Sequence, residues 1–389
     1  MNSRVRLAVL FVSAPIVLLV AIGGFLGKAS ARGDDSYQHL RVFEDVVSLI
    51  LNNYVEGVNS DRIMKGAMEG LAEGLDPDSA YLTPTQVTTM MRPDSQPKGG
   101  VGLELTRQYY LRVISAREGS VAARAGLLPG DFVRAIDDKP TRDMSALLGS
   151  RLLRGAPGTK VSLTILRGSA TEPHVVELVR EDTPAPALSH RQVAPGVWLV
   201  RVPVFSSNTA EQLTAEVAAA RKGGATNLLI DLRNNAEGSY DDGIAAARLF
   251  VPTGLLATRE TRDGKTRVEA KTGDGAIDLP VTLLVDNGTA GAAELFASAL
   301  SGNGRATLVG EHTIGRAATQ ELVKLPDGSA LWLSTARYLT PKDAVLHEKG
   351  LAPDVPVDVP DVEFGAAPPT RDAILDKAIA HLTEKKQAA

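Results

Sequence analysis

Cysteine is absent from this sequence and aromatic residues are scarce. With no Cys among the 389 residues, disulfides and thiolate metal sites are excluded, whereas either redox compartment remains compatible. Aromatic residues make up 4% of the chain, the net charge is −4, and no basic stripe with interleaved aromatics occurs, so we expect no nucleic-acid partner. The 6 histidines are scattered, the closest pair being His174 and His190, so we expect no metal centre and no cofactor.

The remaining composition is that of an ordinary folded protein. Hydrophobic residues make up 44% of the chain and charged residues 23%. The length suffices for two or three domains with cores of their own.

One long apolar run occurs near the N-terminus, from Leu7 to Leu26. As a helix it would span about 30 Å, the thickness of a bilayer core. Ala29-Ser30-Ala31 offers a small-residue cleavage site, so residues 1–32 fit either a removed signal peptide or an uncleaved signal anchor, and the length of the run favours the anchor. Arg4 and Arg6 precede the run, which predicts a cytoplasmic N-terminus and a chain held at the inner membrane through residues 7–26, with its bulk in the periplasm or elsewhere outside the cytoplasm.

Residues 33–95 are predicted to form a helical region. The stretch Tyr37–Val55 has one apolar face, and a second helix is predicted from Asp61 to Gly74. Leu75–Pro84 has the turn chemistry of a tight loop.

Residues 99–182 resemble a PDZ domain. The resemblance rests on the glycine-rich opening that includes Gly100, Val101, Gly102 and Leu103 and on the segment Ser115–Asp138. It implies that backbone N–H groups of the opening loop hold a C-terminal carboxylate while the peptide adds a strand to the sheet. A helix over Asp143–Arg154 would form the other wall of the groove, and a flexible junction is the alternative interpretation of the glycines.

After the connector Thr183–Pro186, strands and helices alternate over residues 187–365, which predicts an α/β layered domain. Asp263-Gly264 and Asp327-Gly328 predict hairpins, and a final helix is expected over residues 370–386. The expected strands and helices are Val197–Phe205, Thr209–Gly224, Asn227–Asn235, Asp241–Phe250, Val281–Val285 and Ala290–Leu300.

Three motifs in this region resemble those of the tail-specific, or C-terminal processing, serine peptidases. The segment NGTAGAAE is similar to the family's G-[ST]-A-S-A-S-E, GEHTIGRAATQ to G-E-x-T-x-G-K-G-x-x-Q, and DLRNNAEG to DLRNNPGG. The resemblance implies a crotonase/ClpP-like α/β peptidase core with an inserted PDZ domain. It assigns Gly291 to the nucleophile position, Arg316 to the base, Gln320 to the residue that orients the base, and Glu237 to a glycine that completes the oxyanion hole.

These replacements remove the chemistry that the motifs imply. Glycine has no atom that can attack a carbonyl, and arginine stays protonated because its pKa exceeds about 12. A carboxylate at residue 237 would repel a developing oxyanion. The sequence therefore predicts a non-catalytic member of the family.

Two other interpretations of the function stay open. An active serine-type endopeptidase that cleaves near protein C-termini would have to use Thr289 as nucleophile and His312 as base, although Thr289 is better interpreted as a helix cap; Ser298 lies about 10 Å farther along the helix. A structural protein with an empty groove is the third reading. We expect the partners to be protein C-terminal tails or unfolded polypeptide, and a homo-oligomer or a hetero-oligomer with an active relative is compatible with the sequence.

Overall fold

The computed structural model describes residues 37–92, 97–168, 172–366 and 369–388. The predicted signal anchor at residues 7–26 lies outside these ranges. None of the helices in the described ranges combines the length and the apolarity that crossing a membrane requires. The chain divides into two compact units, which meet in sequence at Met68 and Glu69.

The first unit contains the first predicted helix and the start of the second. Helix α1 covers residues 37–53, and α2 (Ser60–Glu73) begins in this unit and ends in the next. The side chain of Asn59 starts α2, since its Oδ1 accepts the N–H of Arg62 at 3.0 Å. The apolar face of α1 is exposed within the unit, with Leu40 at 63% and Leu49 at 62%.

The loop predicted over residues 75–84 contains a strand that the sequence pattern did not reveal. Asp76 Oδ1 accepts the backbone N–H groups of Asp78 at 2.9 Å and of Ser79 at 2.8 Å, which folds the chain into a turn. The strand β1 (Ala80–Leu82) and the capped helix α3 (Pro84–Met90) follow. Three residues are too short a run to show the alternation of a strand.

An antiparallel sheet with two short helices forms the predicted PDZ domain. Its strand order is β2-β3-β4-β6-β7, with β5 paired to β4. The predicted helix Asp143–Arg154 is shorter than expected, because the hydroxyl of Ser145 accepts the N–H of Leu148 at 3.3 Å and so sets the helix start. The elements are β2 (Leu103–Gln108), β3 (Tyr110–Ala116), α4 (Val121–Arg124), β4 (Phe132–Ile136), β5 (Lys139–Pro140), α5 (Ala146–Leu152), β6 (Lys160–Leu166) and β7 (His174–Val179).

The chain enters and leaves the PDZ domain at one point. Gly100 and Glu181 form an antiparallel bridge in which each backbone N–H donates to the other residue's carbonyl at 2.9 Å. The domain is therefore an excursion from the α/β region, as an inserted domain requires.

The remaining residues form the predicted α/β layers. The larger sheet has the order β17-β14-β13-β10-β9-β8 and is parallel except for the β8–β9 pair. The elements are β8 (Ser189–Ala194), β9 (Val197–Arg201), α6 (Thr209–Lys222), β10 (Asn227–Asp231), α7 (Tyr240–Ala247), β11 (Leu255–Thr261), β12 (Gly264–Glu269), β13 (Val281–Val285), α8 (Ala292–Gly302), β14 (Ala306–Gly310), β15 (Ala318–Lys324), β16 (Ala330–Leu339), β17 (Val355–Pro356) and α9 (Ala373–Ala388).

A second sheet has the order β1-β16-β11-β12, and β15 also pairs with β16. The two predicted hairpins are confirmed: β11 and β12 flank Asp263-Gly264, and β15 and β16 flank Asp327-Gly328. The predicted strand Val197–Phe205 was too long, since β9 ends at Arg201 shortly before Pro203. The predicted strand Asn227–Asn235 was also too long, because Asn234 adopts a φ of +50° in a turn after β10.

Candidate functional site

The site is built on the strand-turn-helix unit of β13 and α8. All of β13 is buried, and the turn after it is organised by Asp286, whose Oδ1 accepts the N–H of Asn234 at 2.9 Å and of Gly288 at 3.0 Å. Burial raises the pKa of Asp286, against hydrogen bonds that lower it. This turn brings the loop after β10 against the start of α8.

Gly291, at the nucleophile position, precedes the first residue of α8. Its φ is +61° and its ψ −121°, a conformation that costs an L-residue strain, as in a sharp nucleophile turn. A Cβ at this position would meet the Ala236 carbonyl oxygen at 3.8 Å and the Arg316 carbonyl oxygen at 3.9 Å, which are ordinary contacts. A Cβ therefore has room at this position, although the backbone conformation favours glycine.

Glu294 holds the nucleophile and base positions together. It is fully buried, and its Oε2 accepts the N–H of Gly291 at 3.2 Å and of Arg316 at 2.8 Å. Its Oε1 accepts the N–H of Gly315 at 2.7 Å and the hydroxyl of Thr313. Burial raises the pKa of Glu294 to about 7, against the lowering by these hydrogen bonds.

Arg316, at the base position, is held as a cation by two acids. Its Nε lies 3.4 Å from Asp78 Oδ1, and its Nη1 lies 3.2 Å from Glu104 Oε2 on β2 of the PDZ domain. Burial opposes the charge, but the two carboxylates outweigh it and raise the pKa of Arg316 further. The raised pKa means that the guanidinium cannot accept a proton from a nucleophile.

Gln320 does not orient Arg316 through a hydrogen bond. Its Nε2 donates to the Ala318 carbonyl at 3.2 Å and to the Ser334 hydroxyl at 3.1 Å instead. The role implied by the family motif is therefore not seen at this residue, because its amide is engaged by the hairpin of β15 and β16.

The carboxylate of Glu237 has a cationic partner that the sequence did not predict. Arg117 at the end of β3 donates from Nε to Glu237 Oε1 at 2.8 Å and from Nη2 to Oε2, which makes a bidentate pair. Arg117 Nη1 donates to the Thr183 carbonyl at 2.9 Å. The next residue, Gly238, has a φ of +116°, and a Cβ there would lie 2.4 Å from the Phe205 carbonyl oxygen, so this loop admits only glycine.

Thr289 and His312 are not brought together as a nucleophile and a base. Thr289 is fully buried, and its hydroxyl lies 3.1 Å from the Leu232 carbonyl and 3.0 Å from Asp286 Oδ1. The prediction that Thr289 caps the helix is wrong, because Gly291 occupies the N-cap and Thr289 closes the preceding turn. His312 Nδ1 lies 2.8 Å from the Thr313 carbonyl oxygen, and Ser298 is buried within α8.

A cavity of about 360 Å³ lies over the nucleophile position. Among its lining residues, hydroxyls come from Tyr240 and Thr319. The Tyr240 hydroxyl lies 3.1 Å from the Arg316 carbonyl, and burial raises its pKa above the ordinary value, so it is a poor nucleophile. The lining residues are Glu104, Ala236, Glu237, Gly238, Tyr240, Gly291, Arg316, Ala318, Thr319 and Gln320.

The glycine-rich loop of the PDZ domain is a fixed element. A Cβ on Gly102, whose φ is +79°, would lie 2.3 Å from Ser120 Cβ. Val101 and Leu103 are buried in the PDZ core, so they offer backbone groups to the groove. The loop therefore packs against Ser120, the N-cap of α4, and against the PDZ core.

Comparisons with known proteins agree with the fold and the motifs. The model of peptidase family S41 matches residues 196–357, and that of the PDZ domain matches residues 112–167. A carboxyl-terminal-processing protease of Synechocystis sp. is 32% identical over 325 residues, covering 82% of this chain and 76% of the relative. A carboxy-terminal-processing protease of Bartonella bacilliformis is 30% identical over 333 residues, covering 84% of this chain and 76% of the relative.

Among solved structures, the photosystem II D1 C-terminal processing protease is similar, with a TM-score of 0.67 and 27% identity over 80% of this chain and 85% of that chain. The scaffold is thus a mixed α/β peptidase fold that carries a PDZ domain. The chain belongs to the C-terminal processing proteases of peptidase family S41.

Proposed function

We propose that this protein is a non-catalytic member of its family, which binds C-terminal tails or unfolded segments through the PDZ groove and does not cut them. The observation that carries the proposal is the pair of Gly291 and Arg316. The turn and the loop still meet at the expected place, but one has no side chain and the other carries a fixed positive charge.

The retained groove supports the binding half of the proposal. The loop at Gly100–Leu103 and helix α5 face each other, and the cavity between them is lined by Ser150, Leu153 and Arg154 from the helix side. A strand-adding peptide needs a sheet edge, and β2 is the edge strand of the PDZ sheet.

Cleavage is tested with the full chain, an unfolded protein that carries a C-terminal tag, and mass spectrometry, together with a fluorophosphonate that labels activated serines. We expect neither cuts nor labelling with the natural chain, because loss of a nucleophile or base costs factors of about 10⁴ or more. Specific cuts that disappear in Thr289→Ala would overturn the proposal and establish the endopeptidase alternative.

A restored dyad provides the complementary test. The double change Gly291→Ser and Arg316→Lys supplies a hydroxyl and a base that can be neutral, and we expect labelling at residue 291 if the scaffold is otherwise intact. The matched control is Gly291→Ala with Arg316→Lys, which has the same backbone strain and the same weakened ion pairs but no hydroxyl.

We also propose that the protein works outside the cytoplasm, held at the membrane by residues 7–26. The support is the basic start followed by the apolar run. Protease treatment of cells with a permeabilised outer envelope tests this. Degradation of the folded part before lysis is expected, and full protection would refute the proposal.

Pairing with an active relative is tested by co-purification.

A further inference from the structure

The tail groove and the loop that carries Glu237 share a wall. A cavity of about 100 Å³ lies between the glycine-rich loop, the end of α5 and the loop after β10. The PDZ domain and the α/β region therefore meet where a tail's terminal carboxylate would arrive. Its lining includes Gly100, Gly102, Arg117, Arg154, Glu181 and Glu237.

Within this cavity the side-chain carboxylate of Glu237 is bound in the way that the C-terminal carboxylate of a peptide would be. Its carboxylate is gripped by Arg117 through two parallel donors, the arrangement in which a guanidinium holds any free carboxylate. Both side chains are partly accessible, at 24% for Arg117 and 18% for Glu237, so a competing carboxylate can reach the pair from the groove.

A second arginine stands beside the glycine-rich loop. The Cγ of Arg154 lies 3.9 Å from the position that a Cβ on Gly100 would take. Arg154 is exposed, and its side chain forms no hydrogen bond or ion pair with any residue that the structure describes, although its charge lowers the pKa of the nearby Glu104 carboxyl against the effect of burial. An arriving carboxylate thus meets Arg154 and Lys98, which line the cavity, and Arg117, which Glu237 occupies.

The other acids that line the cavity are Glu104, Glu181 and Asp182, and in the described part of the chain none of them forms an ion pair with Arg117. Glu104 lies 3.2 Å from Arg316 Nη1, and Glu181 lies 2.7 Å from Arg124 Nη2. Glu237 is therefore the acid that competes for Arg117.

We propose that Glu237 is an internal substitute for the tail carboxylate, which keeps Arg117 occupied until a C-terminal tail displaces it. This inference rests on the proposed tail binding. Displacement breaks one of the ion pairs between the PDZ domain and the α/β region, so an occupied groove loosens the PDZ domain above the cavity at Gly291. Glu237, which stands where the family motif has a glycine of the oxyanion hole, thereby sets the affinity for C-terminal tails.

The test measures fluorescence anisotropy of a labelled octapeptide pool, randomised at its last four positions, with the full chain. A pool with free carboxylates and the same pool as C-terminal amides are titrated against the natural chain, Glu237→Gln and Glu181→Gln. We expect Glu237→Gln to bind the free-acid pool roughly 3- to 10-fold more tightly and the amide pool unchanged, because half-buried charge pairs are worth about 1 kcal/mol.

Glu181→Gln is the matched control, since it removes the same charge from the same cavity without releasing Arg117. Equal gains in both variants would show an effect of net charge and overturn the inference. Unchanged affinity in Glu237→Gln, with the natural chain still binding the free-acid pool, would overturn the inference and leave tail binding intact. If no chain prefers the free-acid pool to the amide pool, tail capture itself fails, and the inference fails with it.

Discussion

At the scale of single residues, the two positions that the motifs assign to a nucleophile and a base carry Gly291 and Arg316. Glu294 still ties the start of α8 to the loop of Arg316 through three backbone N–H groups. Arginine can reach two acids at once, and it does so at Asp78 and Glu104, where a lysine offers a single point charge. Arg316 is therefore the centre of an ion-pair cluster with Asp78 and Glu104.

Glu294 makes stability depend on pH. Its pKa is raised from 4.5 to about 7 by burial, so the folded chain keeps a proton that the unfolded chain has lost. The contribution of this proton is present below about pH 4.5 and lost as pH rises to about 7, a fall of about 3 kcal/mol in the free energy of unfolding. Urea unfolding at a series of pH values from 4.5 to 8 measures this fall in the free energy of unfolding.

Glu294→Gln is the control for this slope. The amide cannot titrate, so the fall between about pH 4.5 and 7 should be absent, although the variant is less stable throughout because its NH₂ faces backbone donors. A slope that persists unchanged in the variant would assign the pH dependence to other groups.

At the scale of elements, α9 completes the larger sheet. Arg233 after β10 bonds Asp372 just before α9, with Nη1 2.7 Å from Oδ1, and also pairs with Asp231. Burial opposes the charge of Arg233, yet its two acid partners raise its pKa. Behind this ion pair, Ile374, Leu375 and Ala378 pack against a buried face of the sheet made by Val197, Leu199, Leu229, Leu284 and Val309.

Ile374→Ala should therefore lower the free energy of unfolding by about 2–4 kcal/mol, because Ile374 is 4% exposed and its removal leaves a cavity. Urea unfolding followed by circular dichroism gives the value. Lys377→Ala, on the exposed side of the same helix, should change the free energy of unfolding by less than about 0.5 kcal/mol. Equal effects of the two changes would mean that α9 is not seated on the sheet.

Local sequence patterns predicted which helices and strands form better than they predicted where these elements begin and end. The apolar face of α9 and the Asp-Gly hairpins follow from periodicity and turn chemistry, which act between close neighbours. The start of α5 depends on the Ser145 cap, and β1 has meaning only through its pairing with β16. The cap joins residues only three positions apart and was within reach of a local pattern, whereas the strand that pairs with β1 lies far along the chain, outside any local window.

The same limit applies to the site. The residues at the three motif positions, Gly291, Arg316 and Glu237, can be read from the sequence alone. The partner of Glu237 is Arg117, 120 positions away in sequence, and no spacing rule joins the two. The sequence therefore suggested a repulsive carboxylate where the structure has an ion pair.

At the scale of the whole folded body from residue 69 onward, the PDZ domain is fastened at more than one place. The side chain of Asn234 receives the Ala116 N–H at 2.9 Å and donates to the Ala116 carbonyl at 2.7 Å. Phe364, in the segment between β17 and α9, stacks on His174 with 4.5 Å between ring centroids and lies 5.0 Å from the Arg167 guanidinium.

Phe364→Ala should loosen the PDZ domain without weakening the α/β layers. Loss of the stacking and cation–π contacts predicts faster hydrogen exchange at the amides of β6 and β7, roughly 5- to 10-fold, with β10 and β13 unchanged. Val359→Ala in the same segment, where the side chain is 39% exposed, should leave exchange unaltered. Equal acceleration everywhere would show that Phe364 supports global rather than local stability.

The bridge between Gly100 and Glu181 has a consequence for the chain connection. Because both ends of the excursion meet across a single pair of backbone hydrogen bonds, residues 101–180 can be excised and the cut closed with a tight turn, at little entropic cost. Replacement of residues 101–180 by another binding domain, or their loss, would therefore leave the chain connection within the α/β region intact.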